Sequence, residues 1–137
     1  LKSQLQVFFK NLSNMKTQIR IISFGYKYGL PRESDLIFDM RFIRNPFYEK
    51  ELRELDGKNK KVVNFVKKQK YFKSFFDTLF ILFKKTLEGY KKEGKDNITI
   101  AFGCTGGMHR SVVSSEFFYS KIKNKKFKVF VEHRDLK

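Results

Sequence analysis

The sequence predicts a single-domain α/β fold in which helices flank a small mixed sheet. Short apolar or β-branched segments, typical of strands, alternate with longer segments of helical apolar spacing. A glycine-rich loop stands between a strand segment and a helix segment, the arrangement that builds anion sites. The chain has 137 residues, of which 41% are hydrophobic and 17 are Phe. This composition supplies one core and is too apolar for a disordered basic tail.

The first half of the chain contains two strand segments. Residues 1–16 are polar with scattered apolar positions, which predicts a linker or the remnant of an N-terminal helix before a domain at 17–137. Residues 18–24 are rich in β-branched side chains and predict the first strand. Residues 35–39 predict the second strand, and residues 48–55 predict a short helix.

Helical spacing dominates the rest of the chain. Residues 60–69 predict one helix, and aromatic and aliphatic side chains three and four residues apart predict a longer one over 71–94. We interpret the phenylalanine stripe of that helix as core. Residues 97–102 predict a buried strand. Apolar positions over 112–122 predict another helix, and residues 128–132 predict a last strand.

The charge of the chain points to polyanionic partners. Thirty Lys and Arg residues against 14 Asp and Glu give a net charge of +16, which attracts polyanions by counterion release. A proteome biased toward lysine would explain the same charge without any dedicated partner. The single cysteine, Cys104, excludes an internal disulfide and a Cys-rich zinc site. With no metal-ligand spacing, no membrane span and no secretory leader, we expect a cytoplasmic domain without a metal.

The loop after the buried strand, residues 103–111, has the composition of an oxyanion site. Glycines let the backbone approach a ligand, hydroxyls add hydrogen bonds, and arginine can bind phosphate with two donors. An ordinary strand–helix loop with glycines for tight geometry is the simpler interpretation. The residues concerned are Gly103, Thr105, Gly106, Gly107, His109, Arg110 and Ser111.

The same loop also fits the Cys-x5-Arg-Ser pattern of cysteine phosphatases. In such enzymes the thiolate attacks phosphorus while the loop amides and the arginine hold the oxygens. The matching positions here are Cys104, Arg110 and Ser111. An aspartate on another loop would have to act as the general acid. The candidates for that acid are Asp35, Asp39 and Asp56.

Three separated motifs resemble the C-terminal domain of the RapZ family, bacterial RNase adapter or nucleotide-binding proteins. They are residues 23–31 (SFGYKYGLP), 38–46 (FDMRFIRNP) and 103–111 (GCTGGMHRS), followed by His133 and Arg134. The resemblance covers nearly the whole chain. The family segment that usually reads Pro-Asn-Pro-His-Trp has Phe47 at its histidine position here.

The resemblance implies a regulatory binding domain and not an enzyme. It implies a parent protein with an N-terminal P-loop domain that binds ATP or GTP; this domain itself would hold no cofactor. In enterobacterial members the C-terminal domain binds small regulatory RNA, senses glucosamine-6-phosphate and presents the RNA to an endoribonuclease. Family members assemble into homo-oligomers, so a domain that serves only oligomerisation is a third possibility.

The resemblance also implies two overlapping sets of site residues. Asp39 would lie across the pocket from the loop and pair with a sugar amine or hydroxyl. The predicted phosphate and metabolite site comprises Asp39, Arg41, Cys104, Thr105, Gly106, Gly107, His109 and Arg110. The predicted RNA-binding residues are Lys27, Arg53, His109, Arg110 and Arg134.

Seven lysines between residues 58 and 73 form a further basic segment. They are typical of a solvated helical face, although a basic stripe interleaved with Tyr71 also suits RNA.

Overall fold

The computed structural model describes residues 17–123 and 126–137, so the predicted linker at 1–16 lies outside the described residues. Within the described residues, two strands are followed by two α-helices, a third strand, a third α-helix and a fourth strand. The strands are β1 (Thr17–Gly25), β2 (Leu36–Asp39), β3 (Asn97–Cys104) and β4 (Phe127–His133), and the helices are α1 (Lys60–Lys67), α2 (Phe72–Lys92) and α3 (Arg110–Ile122).

The four strands form one sheet in the order β2-β3-β1-β4, and every neighbouring pair is parallel. The predicted α/β class is confirmed, but the expectation of a mixed sheet was wrong. Parallel neighbours need a crossover connection, and the crossovers carry α1 and α2 before β3 and α3 before β4. As a result, all four strands end at the same edge of the sheet. Gly25 pairs with Cys104 there, and Asp39 pairs with Gly103.

The phenylalanine stripe of α2 is part of the core, as predicted. Phe72, Phe76 and Phe83 are buried in the main apolar cluster. The Phe76 ring lies 5.8 Å from the Phe102 ring on β3, in the contact range of aromatic pairs. Among residues 17–123 and 126–137, no helix is both long enough and apolar enough to cross a bilayer.

Residues 48–55 do not form the short α-helix that the sequence predicts. A single 3-10 turn covers Pro46–Tyr48, and irregular turns follow. The Asn45 side chain accepts from the Phe47 amide, and the Arg53 guanidinium donates to the Phe47 carbonyl oxygen. Local side-chain hydrogen bonds of this kind compete with helix formation in so short a segment.

Candidate functional site

A cavity of about 420 Å³ opens at the edge of the sheet where the strands end. Ligands of open parallel sheets bind at this edge, because the loops that follow the strands meet there. The loop of residues 105–109 joins β3 to α3 and forms one wall. The lining residues are Lys27, Asn45, Phe47, Tyr48, Arg53, Cys104, Thr105, Gly106, Met108, His109 and Arg110.

The backbone of loop 105–109 is held by its carbonyl groups and not by its amides. The carbonyl oxygens of Thr105, Met108 and His109 accept hydrogen bonds from the amides of Lys27, Gly57 and Val113. Within the described part of the chain, the amides of residues 105–109 donate no hydrogen bond. These five N–H groups precede a 13-residue helix without an acceptor among the described residues, and the dipole of that helix favours an anion at its start.

Two glycines fix the shape of the loop, and a third leaves it open. Gly107 has φ +77°, which disfavours other residues. A Cβ on Gly25 would lie 2.5 Å from the Gly106 carbonyl carbon, so β1 and the loop touch through backbone alone. A Cβ on Gly106 would meet nothing within 4 Å. The loop thus has free space in front of Gly106.

Arg110, the first residue of α3, connects the loop to the segment after β2. Its side chain is buried, with the residue only 4% exposed. Nη1 donates to the carbonyl oxygens of Arg41 at 3.1 Å and Ile43 at 2.8 Å, and Nη2 lies 3.4 Å from the Thr105 hydroxyl oxygen. Burial lowers the pKa of Arg110, but an arginine pKa starts so high that the group stays cationic at neutral pH. Its Nε is buried and has no partner among the described residues.

His109 precedes Arg110 and is nearly as buried, at 8% exposure. Burial lowers the pKa of the imidazole, and the nearby carbonyl group of Leu55 only partly offsets this effect. The ring is therefore neutral at pH 7. Its Nε2 is buried without a partner in the part of the chain that the structure describes. The Arg110 guanidinium and the neutral His109 ring thus each have one buried nitrogen without a partner among the described residues.

Cys104 and Ser111 meet behind the loop. The buried Cys104 thiol lies 3.1 Å from the Ser111 hydroxyl oxygen and donates to it. This contact brings together the sulfur and the hydroxyl of the phosphatase pattern.

The predicted acid partners of a phosphatase are placed less favourably. Asp39 forms a bidentate ion pair with Arg41, whose Nη2 and Nε donate at 2.7 Å and 2.9 Å. Hydrogen bonds from Arg41 lower the pKa of Asp39 despite its partial burial, so it holds no proton to give. Asp35 accepts from the Thr99 amide near the other end of β3. Within residues 17–123 and 126–137, no three His, Cys, Asp or Glu side chains cluster as metal ligands.

Two cations and two exposed aromatic rings surround the cavity mouth. Lys27 belongs to the turn after β1, and its amide is bonded to the loop carbonyl of Thr105. The Arg53 guanidinium lies 4.8 Å from the centre of the Phe47 ring, and Tyr48 is exposed beside it. No carboxylate lines the cavity, so its lining is positive at neutral pH.

A second cavity of about 470 Å³ adjoins the first. The two cavities share Asn45, Tyr48, Thr105 and Arg110. The Arg41 and Arg44 side chains line the second cavity and are already paired with Asp39 and Glu49. The second cavity is therefore closer to neutral than the first.

Comparison with known proteins assigns the chain to a family. The family model of the RapZ C-terminal domain matches residues 17–137. The chain belongs to the RapZ C-terminal domain family. It is 44% identical over 132 residues to a nucleotide-binding protein of Carboxydothermus hydrogenoformans, covering 96% of this chain and 46% of that protein. It is 44% identical over 137 residues to one of Caldicellulosiruptor saccharolyticus, covering 99% of this chain and 47% of that protein. The chain thus spans about half the length of these relatives.

In this RapZ-family domain, most of the predicted site residues lie around one cavity. Asn45, Tyr48 and Met108 line it as well and were not among the predicted site residues; Asn45 and Met108 lie within the motifs, and Tyr48 lies two residues after one. Arg41 lines the second cavity, whereas Asp39, Gly107 and Arg134 line neither. The predicted residues that share the first cavity are Lys27, Arg53, Cys104, Thr105, Gly106, His109 and Arg110.

Arg134, predicted to bind RNA, is tied to the protein itself. Its Nη2 donates to the Gly29 carbonyl oxygen at 2.6 Å and to Asp135 at 2.8 Å. Asp135 in turn accepts from the Gly25 amide at 2.7 Å. These contacts fasten the turn that carries Lys27 to the end of β4, so a positioning role accompanies any RNA contact.

Proposed function

We propose that this domain binds RNA and a phosphorylated small molecule of the glucosamine-6-phosphate type at the cavity beside loop 105–109. The observation that supports it most is the pairing of five undonated loop amides with the buried, partly unpaired guanidinium of Arg110. Backbone N–H groups and arginine together match the oxygens of a phosphate group. The resemblance to the RapZ family agrees with such a ligand.

The phosphate group carries most of the recognition. The residues around both cavities include no Asp or Glu, and the Asp39 carboxylate is occupied by Arg41. A sugar amine would therefore meet Asn45 and the aromatic rings rather than a free carboxylate. We expect glucosamine-6-phosphate and glucose-6-phosphate to bind with affinities that differ by less than about tenfold, because no charged pair distinguishes them.

The RNA site includes the mouth of the same cavity. Lys27 and Arg53 flank it, and the chain carries a net charge of +16. A backbone phosphate of RNA can occupy the position of the free phosphate group, while the flanking cations bind its neighbours. RNA and the small molecule would then compete for Arg110.

The role of the parent protein follows from this binding. We propose an adapter that presents RNA to an endoribonuclease in the cytoplasm, joined to a nucleotide-binding domain for ATP or GTP and assembled as a homo-oligomer. Competition at Arg110 would let the metabolite release the RNA.

Titration calorimetry and gel shift test this proposal. Inorganic phosphate and the two sugar phosphates should bind the wild type, and a structured RNA should bind with an affinity that falls steeply with salt. Arg110→Gln should lose phosphate binding, and Lys27→Gln should weaken RNA binding without affecting the fold. Lys91→Gln, on the exposed end of α2, is the matched control. Wild-type affinities in both site variants would contradict the proposal.

The 3.1 Å contact between Cys104 and Ser111 favours a cysteine phosphatase as the second candidate. The low pKa of Asp39 and the distant position of Asp35 count against these two as the acid partner. The third candidate, Asp56, lies close enough to the loop for its charge to raise the pKa of His109. An aryl-phosphate assay on the wild type and on Cys104→Ser separates the two functions. Hydrolysis that depends on Cys104 would identify the domain as a phosphatase and contradict the proposed binding function. Phosphate binding without hydrolysis in both proteins would support the binding function.

A further inference from the structure

A lysine-rich segment that carries α1 and the start of α2 is the largest unneutralised charge in the described chain. Residues 57–76 contain seven lysines and no Asp or Glu. Only Lys73 among them pairs with a carboxylate, that of Asp77 at 3.1 Å, within residues 17–123 and 126–137. Four arginines, by contrast, pair with carboxylates: Arg20, Arg41, Arg44 and Arg134. Apart from Lys73, the lysines of the segment therefore carry charge that no carboxylate of the described residues neutralises.

Tyr71 stands in the middle of this charge with its ring in solvent. The residue is 58% exposed. Lys70 Nζ lies 5.1 Å from the ring centre. An exposed aromatic ring beside cations is the element on which bases of single-stranded nucleic acid stack.

The backbone at Tyr71 is strained as well. Its φ is +75°, the only positive φ among the described non-glycine residues. A bulky residue in this left-handed conformation costs about 1–2 kcal/mol, which Gly or Asn would largely avoid. The strain is thus not offset by burial in the core, because the residue is 58% exposed. Strain of this kind, held at an exposed position, is typical of a binding residue.

The segment is attached directly to the candidate site. The Gly57 amide donates to the Met108 carbonyl oxygen of the loop at 2.7 Å. A Cβ on Gly57 would lie 2.6 Å from the His109 carbonyl oxygen, so the start of the segment is pressed against the loop. Helix α1 then carries the chain about 12 Å, at 1.5 Å per residue, toward Tyr71. The basic segment therefore begins at the loop that lines the cavity.

We propose that Tyr71 and the lysines around it form a second RNA contact, which stacks an unpaired base on the ring and binds the flanking phosphates. The inference rests on the proposed RNA-binding function and adds the form of RNA recognised: a single-stranded stretch next to the part that enters the cavity. The lysines of this surface are Lys67, Lys68, Lys70 and Lys73.

Fluorescence anisotropy with two RNA probes tests the proposal. One probe is a single-stranded adenine-rich oligonucleotide of about twelve nucleotides, within the range of single-strand site sizes, and the other is a duplex of equal length. Tyr71→Gly should weaken binding of the single strand about tenfold, as expected for one lost stacking contact. Its affinity for the duplex should fall less than about twofold. Tyr71→Phe is the matched control and should bind as the wild type does.

Salt dependence separates stacking from charge. Tyr71→Gly should leave the slope of log affinity against log salt unchanged, whereas Lys70→Gln should reduce it by about 0.7, the value for one phosphate contact on a single strand. Thermal unfolding of Tyr71→Gly should show a melting temperature equal to or above that of the wild type, which excludes misfolding as the cause of weaker binding.

Each outcome decides the proposal. Equal single-strand affinity of Tyr71→Gly and wild type, with Arg110→Gln impaired, would overturn the second contact and leave the proposed function intact. No RNA binding by the wild type would overturn both. Tyr71-dependent binding to phosphatidylserine vesicles without an effect on RNA would overturn the RNA contact in favour of a membrane surface.

Discussion

Arg110 Nη1 donates to the Ile43 carbonyl oxygen at 2.8 Å across the boundary between the two cavities. The guanidinium therefore holds the segment after β2 against α3, while its buried Nε has no partner among the described residues. One side chain both shapes the site and supplies its buried cation.

Arg110→Lys should lower both stability and phosphate affinity. A lysine keeps the charge but cannot reach the carbonyl oxygens of Arg41 and Ile43 with a planar pair of donors. We expect the free energy of unfolding to fall by about 1–3 kcal/mol and phosphate affinity to fall on the order of tenfold. Urea denaturation and calorimetry measure the two effects. Arg44→Lys, at an exposed pair with Glu49, should change stability by less than about 0.5 kcal/mol.

The burial of His109 should make stability depend on pH. The folded-state pKa lies below the unfolded value of about 6.5 because burial disfavours the charged ring. The neutral ring thus contributes stability above about pH 6.5, and this contribution is lost as the pH falls through the folded pKa. Urea midpoints from about pH 7 to 5 should decline in the wild type and decline less in His109→Gln. Parallel curves for the two proteins would refute this assignment.

Substitution by alanine should lower the stability of the protein at Gly25 but not at Gly106, the two glycines at the contact between β1 and the loop. Gly25→Ala places a Cβ 2.5 Å from backbone of the loop, so we expect a loss of about 1–3 kcal/mol together with weaker phosphate binding. Gly106→Ala meets open space and should fold within about 0.5 kcal/mol of wild type. Chemical denaturation of both variants gives the comparison. A Gly25→Ala protein as stable as Gly106→Ala would mean that the loop lies elsewhere.

Asp135 should stabilise the turn that carries Lys27. Burial alone would raise the pKa of Asp135, but hydrogen bonds from Arg134 and the Gly25 amide lower it. The contribution of the carboxylate is therefore present above about pH 4 and is lost as the pH falls through the lower folded pKa. Asp135→Asn should cost about 1–3 kcal/mol at neutral pH and flatten the acid side of the stability curve. Hydrogen exchange at Lys27 should speed up in this variant; unchanged exchange would show that the turn is fixed by other contacts.

Local sequence pattern was sufficient to predict a helix or strand whose form depends mainly on its own side chains. The β-branched run of β1, the phenylalanine spacing of α2 and the strand–loop–helix around Cys104 follow from side-chain periodicity and glycine placement. The prediction of a helix at 48–55 failed because Asn45 and Arg53 bond the backbone of Phe47 just before that segment, which favours a turn over a helix start. The all-parallel direction of the strands also lay beyond local pattern, since a strand has the same composition whether its neighbour runs parallel or antiparallel.

By itself, the sequence determined the α/β class, the RapZ-family motifs and the loop with its arginine. Only the tertiary structure decided that Asp39 forms an ion pair with Arg41 and that Arg134 holds the turn containing Lys27. It also decided that Lys27 and Arg53 line the same cavity as Arg110. The physical reason is that a motif shows which side chains can form hydrogen bonds and ion pairs. Which of them actually meet depends on the parallel sheet, which brings distant segments together at one edge.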